Sequence, residues 1–156
     1  MTWKTHVVLG AMAGYYPYPS WKGILVGVTM ALVPDVDKAR NKAGKAIWPL
    51  SWLVEKGIGH RTLTHSWVIL LLPDLLISDS SVALAALYGL LSHLLSDAFV
   101  GRIQLFWPVR QGWFGVPLPR FLYVIVDRTT LLAAAAYILY WGYREGIEAI
   151  LGIPLS

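Results

Sequence analysis

The chain has 156 residues, 56% of them apolar and only 14% charged, with a formal net charge of +4, nine acidic residues and a positive mean hydropathy. That composition excludes an ordinary soluble domain and points to a membrane protein. The length admits one domain over residues 1–156, without linker or repeat, and the absence of cysteine excludes disulfides, iron–sulfur clusters and thiolate zinc sites.

Five apolar stretches follow in chain order, at residues 7–16, 23–33, 63–77, 82–100 and 121–142. They predict an all-α, integral membrane bundle of about five helices. Only the last two approach the roughly 20 residues that a spanning helix needs. The first two are short, and Pro17 and Pro19 separate them, so they read as a helical hairpin. The first apolar run lacks a clean small-residue cleavage site, so the N-terminus is expected to be retained.

Basic residues orient this arrangement. If the chain starts inside and crosses five times, eleven of the 13 Lys and Arg residues fall on or near one side, leaving Lys22 and Arg144 opposite. Such a bias marks the first side as cytoplasmic. The loop containing Trp107, Trp113 and Phe114 then lies at the cytoplasmic interface, where amphipathic aromatics suit a belt against membrane lipid.

The same topology makes an independent prediction. His6 lies at the start of the first helix, Asp35 and Asp37 at the end of the second, His60 and His65 at the start of the third, and His93 with Asp97 at the end of the fourth. All four histidines and three acids therefore collect at one edge. Ionisable groups at membrane depth are costly unless paired, hydrated or bound to metal, so the collection reads as a metal site.

Each element alone has a plainer reading. His93 and Asp97 stand four apart on one helical face, which suits a shared ion or a structural hydrogen bond. Asp35 and Asp37 either share a cation, which relieves the repulsion between neighbouring carboxylates, or cap the helix and pair with the basic stretch 38–45. His60 and His65, five apart, point about 140° from each other on a continuous helix. If Thr62 caps that helix, His60 belongs to the Gly57 and Gly59 turn and folds back toward His65. His6 taken singly suits a capping or interfacial role.

Taken together, these residues resemble the LexA-regulated, membrane-bound metal-dependent hydrolases. The matching elements are His6, the V-P-D-V-D run at 33–37, the H-R-T-L-T-H-S run at 60–66, and His93-x-x-x-Asp97 followed by Q-L-F-W-P at 104–108. They span residues 6 to 110, and Thr62 departs from the glycine common in that family after His-Arg. The family is distantly similar to the zinc-dependent phospholipase C and single-strand nuclease superfamily. No histidine follows His93, so the later ligands of that superfamily have no counterpart and one or two ions are implied rather than three.

The resemblance implies metal-assisted hydrolysis of a phosphoester in a phospholipid or lipid-like substrate at the cytoplasmic membrane surface. Asp35, His60 or His65, His93 and Asp97 are the expected ligands, with Asp97 bridging to a second ion held by His6 and Asp37. Zinc suits imidazole and carboxylate best, with manganese or ferrous iron as the alternatives. Asp37, Arg61 and Asp127 are the expected catalytic residues, Asp127 alternatively forming an internal ion pair with Arg128. Arg61, Arg102 and Arg110 are the expected contacts to the anionic substrate, the last two alternatively serving as membrane anchors.

Competing classes remain open on the sequence. A protease signature with glutamate beside histidine is absent, as is a Gly-rich phosphate loop. A proton or metal-ion transporter would spread its polar groups through the membrane, with Asp74 and Asp127 as stations. A third reading is a non-catalytic protein whose metal staples short helices together. No nucleic-acid partner is expected, because the basic residues are explained by topology and attraction to anionic lipid.

Overall fold

The computed structural model describes residues 1–37 and 63–151, with backbone alone at 37 and at 146–151. Pro17 and Pro19 set a tight turn between helices α1 (Trp3–Tyr15) and α2 (Trp21–Leu32), as the hairpin reading expects. Ser20 starts α2, its hydroxyl accepting from the Gly23 backbone N at 3.1 Å and satisfying one of the helix's orphan donors. A 3₁₀ turn, Val33–Asp37, continues α2 as far as the paired acids.

The third apolar stretch departs from expectation. In place of one helix over 63–77 there are two 3₁₀ turns, Leu63–His65 and Trp67–Leu71, followed by the single short helix α3 (Leu72–Leu76). Ser66 breaks the run with an extended backbone, and Pro73 starts a new helix because it has no N–H to continue the old one.

Helix α4 (Ser80–Val100) is capped by Asp79, whose carboxylate accepts from Ser81 N and Val82 N at 2.9 and 3.0 Å. Helix α5 (Arg120–Leu151) runs well past the expected end near 142. Among the described residues all regular structure is helical, with one isolated bridge between Ile103 and Phe114.

Two helices, α4 over its 21 residues and α5 over 120–145, are long and apolar enough to cross a membrane. At 1.5 Å per residue α4 reaches about 31 Å, the thickness of a bilayer's hydrocarbon core. The hairpin helices, with 13 and 12 residues, reach only about 20 and 18 Å. Helix α4 is more than half buried among its neighbours, whereas α5 packs on α1 and leaves large apolar side chains such as Leu132 and Leu139 exposed. An apolar face of that extent on a folded chain needs a partner or a membrane.

Glycines set how closely the helices pack. Gly10 and Gly14 on α1 lie against Gly23 and Gly27 on α2, and Gly89 on α4 meets Gly27 from a third side. A Cβ on Gly27 would lie 2.6 Å from Gly14 Cα, and one on Gly89 3.0 Å from Gly27 Cα. Small residues four apart permit this backbone approach, the packing mode favoured between apolar helices in lipid. Below the crossing, Leu90, Leu94, Ala98, Ile69 and Ile103 form the buried core, with Met30 and Val33 packed against it.

Because the obstructing atoms are backbone, Gly14→Ala is expected to lower the thermal midpoint of the purified protein, with a cost of about 1–3 kcal/mol from overpacking. Gly142→Ala, where an added Cβ meets nothing within 4 Å, is the matched control. Equal melting of the two variants would contradict the packing.

Candidate metal centre

The glycine seam leads directly to the polar cluster. One helical turn from Gly10 is His6, one turn from Ala31 is Asp35, and one and two turns from Gly89 are His93 and Asp97. His65 arrives from the 3₁₀ turn Leu63–His65. His6, His65 and His93 are fully buried, and Asp97 and Asp35 are 3% and 7% exposed.

Five expected ligands therefore meet. Ligand atoms of His6, Asp35 and His93 lie within 4.8 Å of one another, and so do those of His65, His93 and Asp97. The two groups share His93. His60 and Arg61 lie outside the described residues, and Asp37 is described by its backbone only, at the end of its 3₁₀ turn.

Hydrogen bonds at the outer nitrogens settle how two of the imidazoles face inward. His93 Nδ1 lies 2.6 Å from the Ala31 carbonyl, which only accepts, so this nitrogen carries a proton, and in the neutral ring Nε2 is bare. Ser96 spends its one hydroxyl proton on the His93 carbonyl at 2.9 Å, so its oxygen accepts from His6 Nδ1 at 3.2 Å. In the neutral ring His6 Nε2 is then bare as well, and it is buried without a hydrogen-bond partner among the described residues. Outer partners of this kind are how metal-binding histidines are normally oriented.

Asp97 joins the two sides. Its Oδ1 is 3.2 Å from His6 Nε2, within ion-pair distance although not in hydrogen-bond alignment. Its Oδ2 is 3.6 Å from His65 Nε2 and 3.8 Å from His93 Nε2. The α-ammonium of Met1 also pairs with Oδ1. His65 Nε2 lies 3.3 Å from His93 Nε2, while its Nδ1 is 3.1 Å from Thr64 Oγ1. The His6 and His93 rings stack at 4.0 Å, and His65 meets His93 edge-on at 5.1 Å.

Bare nitrogens facing a carboxylate repel unless a cation lies between them, so the donor set fits a divalent metal. The spacing agrees, since donors about 2.0–2.1 Å from a tetrahedral zinc are themselves roughly 3.4 Å apart. The buried His/Asp group could hold a metal ion, with imidazole and carboxylate as its donors among the described residues.

Asp127 belongs to neither ligand group. It is buried on α5, and its Oδ1 accepts from Thr2 N at 2.7 Å and Thr5 Oγ1 at 2.9 Å. Thr2 is the N-cap of α1 and makes no cap with its own hydroxyl; a carboxylate from another helix instead binds its backbone N–H at the positive end of α1. Arg128 beside it is exposed. Arg102 and Arg110 are exposed in the connection between α4 and α5, and neither lines the ligand groups.

Ser96 and the Ala31 carbonyl were not singled out by the sequence reading. Ser96 had a signal, standing three residues after His93 where a helical serine bonds back to that carbonyl. Ala31 had none, because a carbonyl's availability depends on how far the neighbouring helix stands off. A cavity of about 710 Å³ between α1 and α5, lined by Met12, Tyr15, Tyr137 and Trp141, lies at the other end of α1 and includes no cluster residue.

Known proteins give a consistent setting. The family model described as YdjM inner membrane protein matches residues 1–155. The uncharacterized protein YvsG of Bacillus subtilis (strain 168) is 34% identical over 118 residues, which cover 69% of this chain and 74% of that relative. No solved structure matches.

Zinc at about one hundred times its dissociation constant is expected to stabilise the purified protein by about 2.7 kcal/mol, reversibly with chelator. His93→Gln and Asp97→Asn should each abolish that rise in melting temperature. An unchanged rise in both would remove the cluster from consideration as the metal site.

Proposed function

The chain belongs to the YdjM inner membrane protein family, and from that premise we propose that it is a membrane-bound, metal-dependent hydrolase. Its substrate is a phosphoester of a phospholipid or lipid-like molecule, cleaved at the cytoplasmic surface, on which side the N-terminus also lies. The observation that carries this reading is the convergence of bare, buried His6 and His93 Nε2 atoms on Asp97 in the last turns of a helix long enough to span the membrane.

His6, Asp35, His65, His93 and Asp97 would hold one or two ions, with His60 and Asp37 completing the set. A zinc, manganese or ferrous ion bound there supplies Lewis acidity and lowers the pKa of water. The chain's own contribution is arrangement. The Ala31 carbonyl and Ser96 hold two imidazoles in fixed tautomers, and Asp97 presents one oxygen to His6 and the other to His65 and His93. Leu90 and Leu94, on the same helix as His93 and Asp97, are buried in the apolar core.

Arg61, four residues before His65, is assigned to the anionic charge of the phosphoryl group. Asp127 acts at a distance from the reacting atoms by fixing the start of α1, and so the placement of His6. The phosphate part of the reading rests on the resemblance of the His and Asp motifs to membrane-bound hydrolases.

A conducting role is less well supported. Every buried ionisable side chain among the described residues belongs to the cluster or, as Asp127, binds the start of α1 beside it. Asp74, the other expected station, is exposed. No buried trail crosses the described bundle.

The test is a panel of phospholipids, nucleotides and oligonucleotides offered to the purified protein loaded with zinc, manganese or iron(II). Turnover of a lipid phosphoester is expected, falling at least about a hundredfold in His93→Ala and Asp97→Ala, beyond the usual loss for a mere orienting partner. Metal uptake into proteoliposomes without turnover would replace hydrolysis by transport.

A further inference from the structure

We propose that the connection between α4 and α5, residues 101–119, docks anionic phospholipid and receives one headgroup phosphate between Phe106, Arg110, Trp113 and Phe114. The segment is well ordered by its own bonds. Ile103 and Phe114 exchange backbone hydrogen bonds at 2.9 and 2.8 Å, Val116 N donates to the Ala98 carbonyl at 2.9 Å, and Trp67 N donates to the Leu105 carbonyl at 2.9 Å. Ile103 is fully buried in the core. Gly115 takes φ +124°, and a Cβ there would lie 3.1 Å from Ala98 Cα, so the connection is seated directly on the last turn of α4.

Against this fixed base, the tip holds apolar groups away from the protein. Val109 is 84% exposed, Trp113 57% and Phe106 48%. Side chains of this kind, presented rigidly, need an apolar covering, and aromatic rings at the level of the headgroups are the usual one. The electrostatics select the surface. Residues 98–126 carry Arg102, Arg110 and Arg120, all exposed, and no Asp or Glu. An aromatic and cationic face without acids complements an anionic leaflet.

Phe106, Arg110, Gly112, Trp113 and Phe114 line a hollow of about 160 Å³ in this face. The Phe106 and Phe114 rings meet edge-on at 5.8 Å and form its wall. Gly112 leaves space beside Arg110 Nε, which is 4.0 Å from where a Cβ would be. The guanidinium fork suits the oxygens of a phosphate. Lipid is the occupant because both flanks of the connection are ends of the two helices long enough to span a membrane, which places the hollow where headgroups lie. The inference rests on membrane residence and not on hydrolysis at the His/Asp cluster, so the two fail separately.

The experiment uses the full-length protein in detergent, titrated with phosphatidylglycerol or phosphatidylcholine and read by native mass spectrometry, with inorganic phosphate as competitor. Phosphatidylglycerol should bind more tightly, and Arg110→Gln should weaken it about five-fold, the factor expected of one basic side chain at an anionic surface. Lys22→Gln, an exposed basic position at the start of α2, should leave binding unchanged. Arg110 is exposed, so its replacement is expected to retain the wild-type melting temperature. Equal affinity for the two lipids, wild-type affinity in Arg110→Gln, or complete displacement by inorganic phosphate would each overturn the proposal.

Discussion

Everything in this structure depends on how near three helix backbones come to one another. Gly10, Gly14, Gly23, Gly27 and Gly89 remove the side chains that would hold α1, α2 and α4 apart, and the helices meet backbone to backbone. Apolar helices surrounded by lipid gain little from hiding apolar surface, so close contact and hydrogen bonds must hold them together. The glycines supply the contact. One turn further along the same faces stand His6 and His93, and two turns beyond Gly27 stands Asp35, so the ligand cluster is the seam continued with polar residues in place of small ones.

That continuity explains the chemistry of the cluster. The His93 ring reaches the Ala31 carbonyl only because α2 and α4 already touch at Gly27 and Gly89. The bond holds the proton on Nδ1 and turns a bare nitrogen inward. Ser96 does the same for His6 across the contact between α4 and α1. Buried polar groups without partners are expensive, and here the unpaired His6 nitrogen faces a carboxylate, an arrangement that a cation relieves. The packing and the proposed metal chemistry are consequences of one helix register.

Helix α5 stands outside this tight trio, and most of its large apolar side chains are exposed. Its link to the site is Asp127, which accepts from Thr2 N at the start of α1 and from Thr5 Oγ1 next to His6. An acid in an apolar helix is costly alone, but here it meets the positive end of a helix and two hydrogen-bond donors. The connection that leads into α5 is braced on the end of α4 by Gly115 and Ile103, within a turn or two of Asp97.

Sequence by itself determined the membrane-protein class, the helical hairpin at the start, the two helices long and apolar enough to cross a membrane, and the gathering of His6, Asp35, His65, His93 and Asp97. These were legible because hydropathy and helical spacing are local, and because the ends of successive helices alternate sides. It did not determine the break at Ser66 and Pro73, although proline was in view, since a single apolar run looks alike whether continuous or interrupted. Only the tertiary structure decided which nitrogen of His6 and His93 faces inward, that Asp127 binds Thr2 and Thr5 at the start of α1, and that the Arg110 connection is braced on the end of α4. Each of those depends on atoms brought together from elements far apart in the chain, at distances set by the glycine contacts and not by any local pattern.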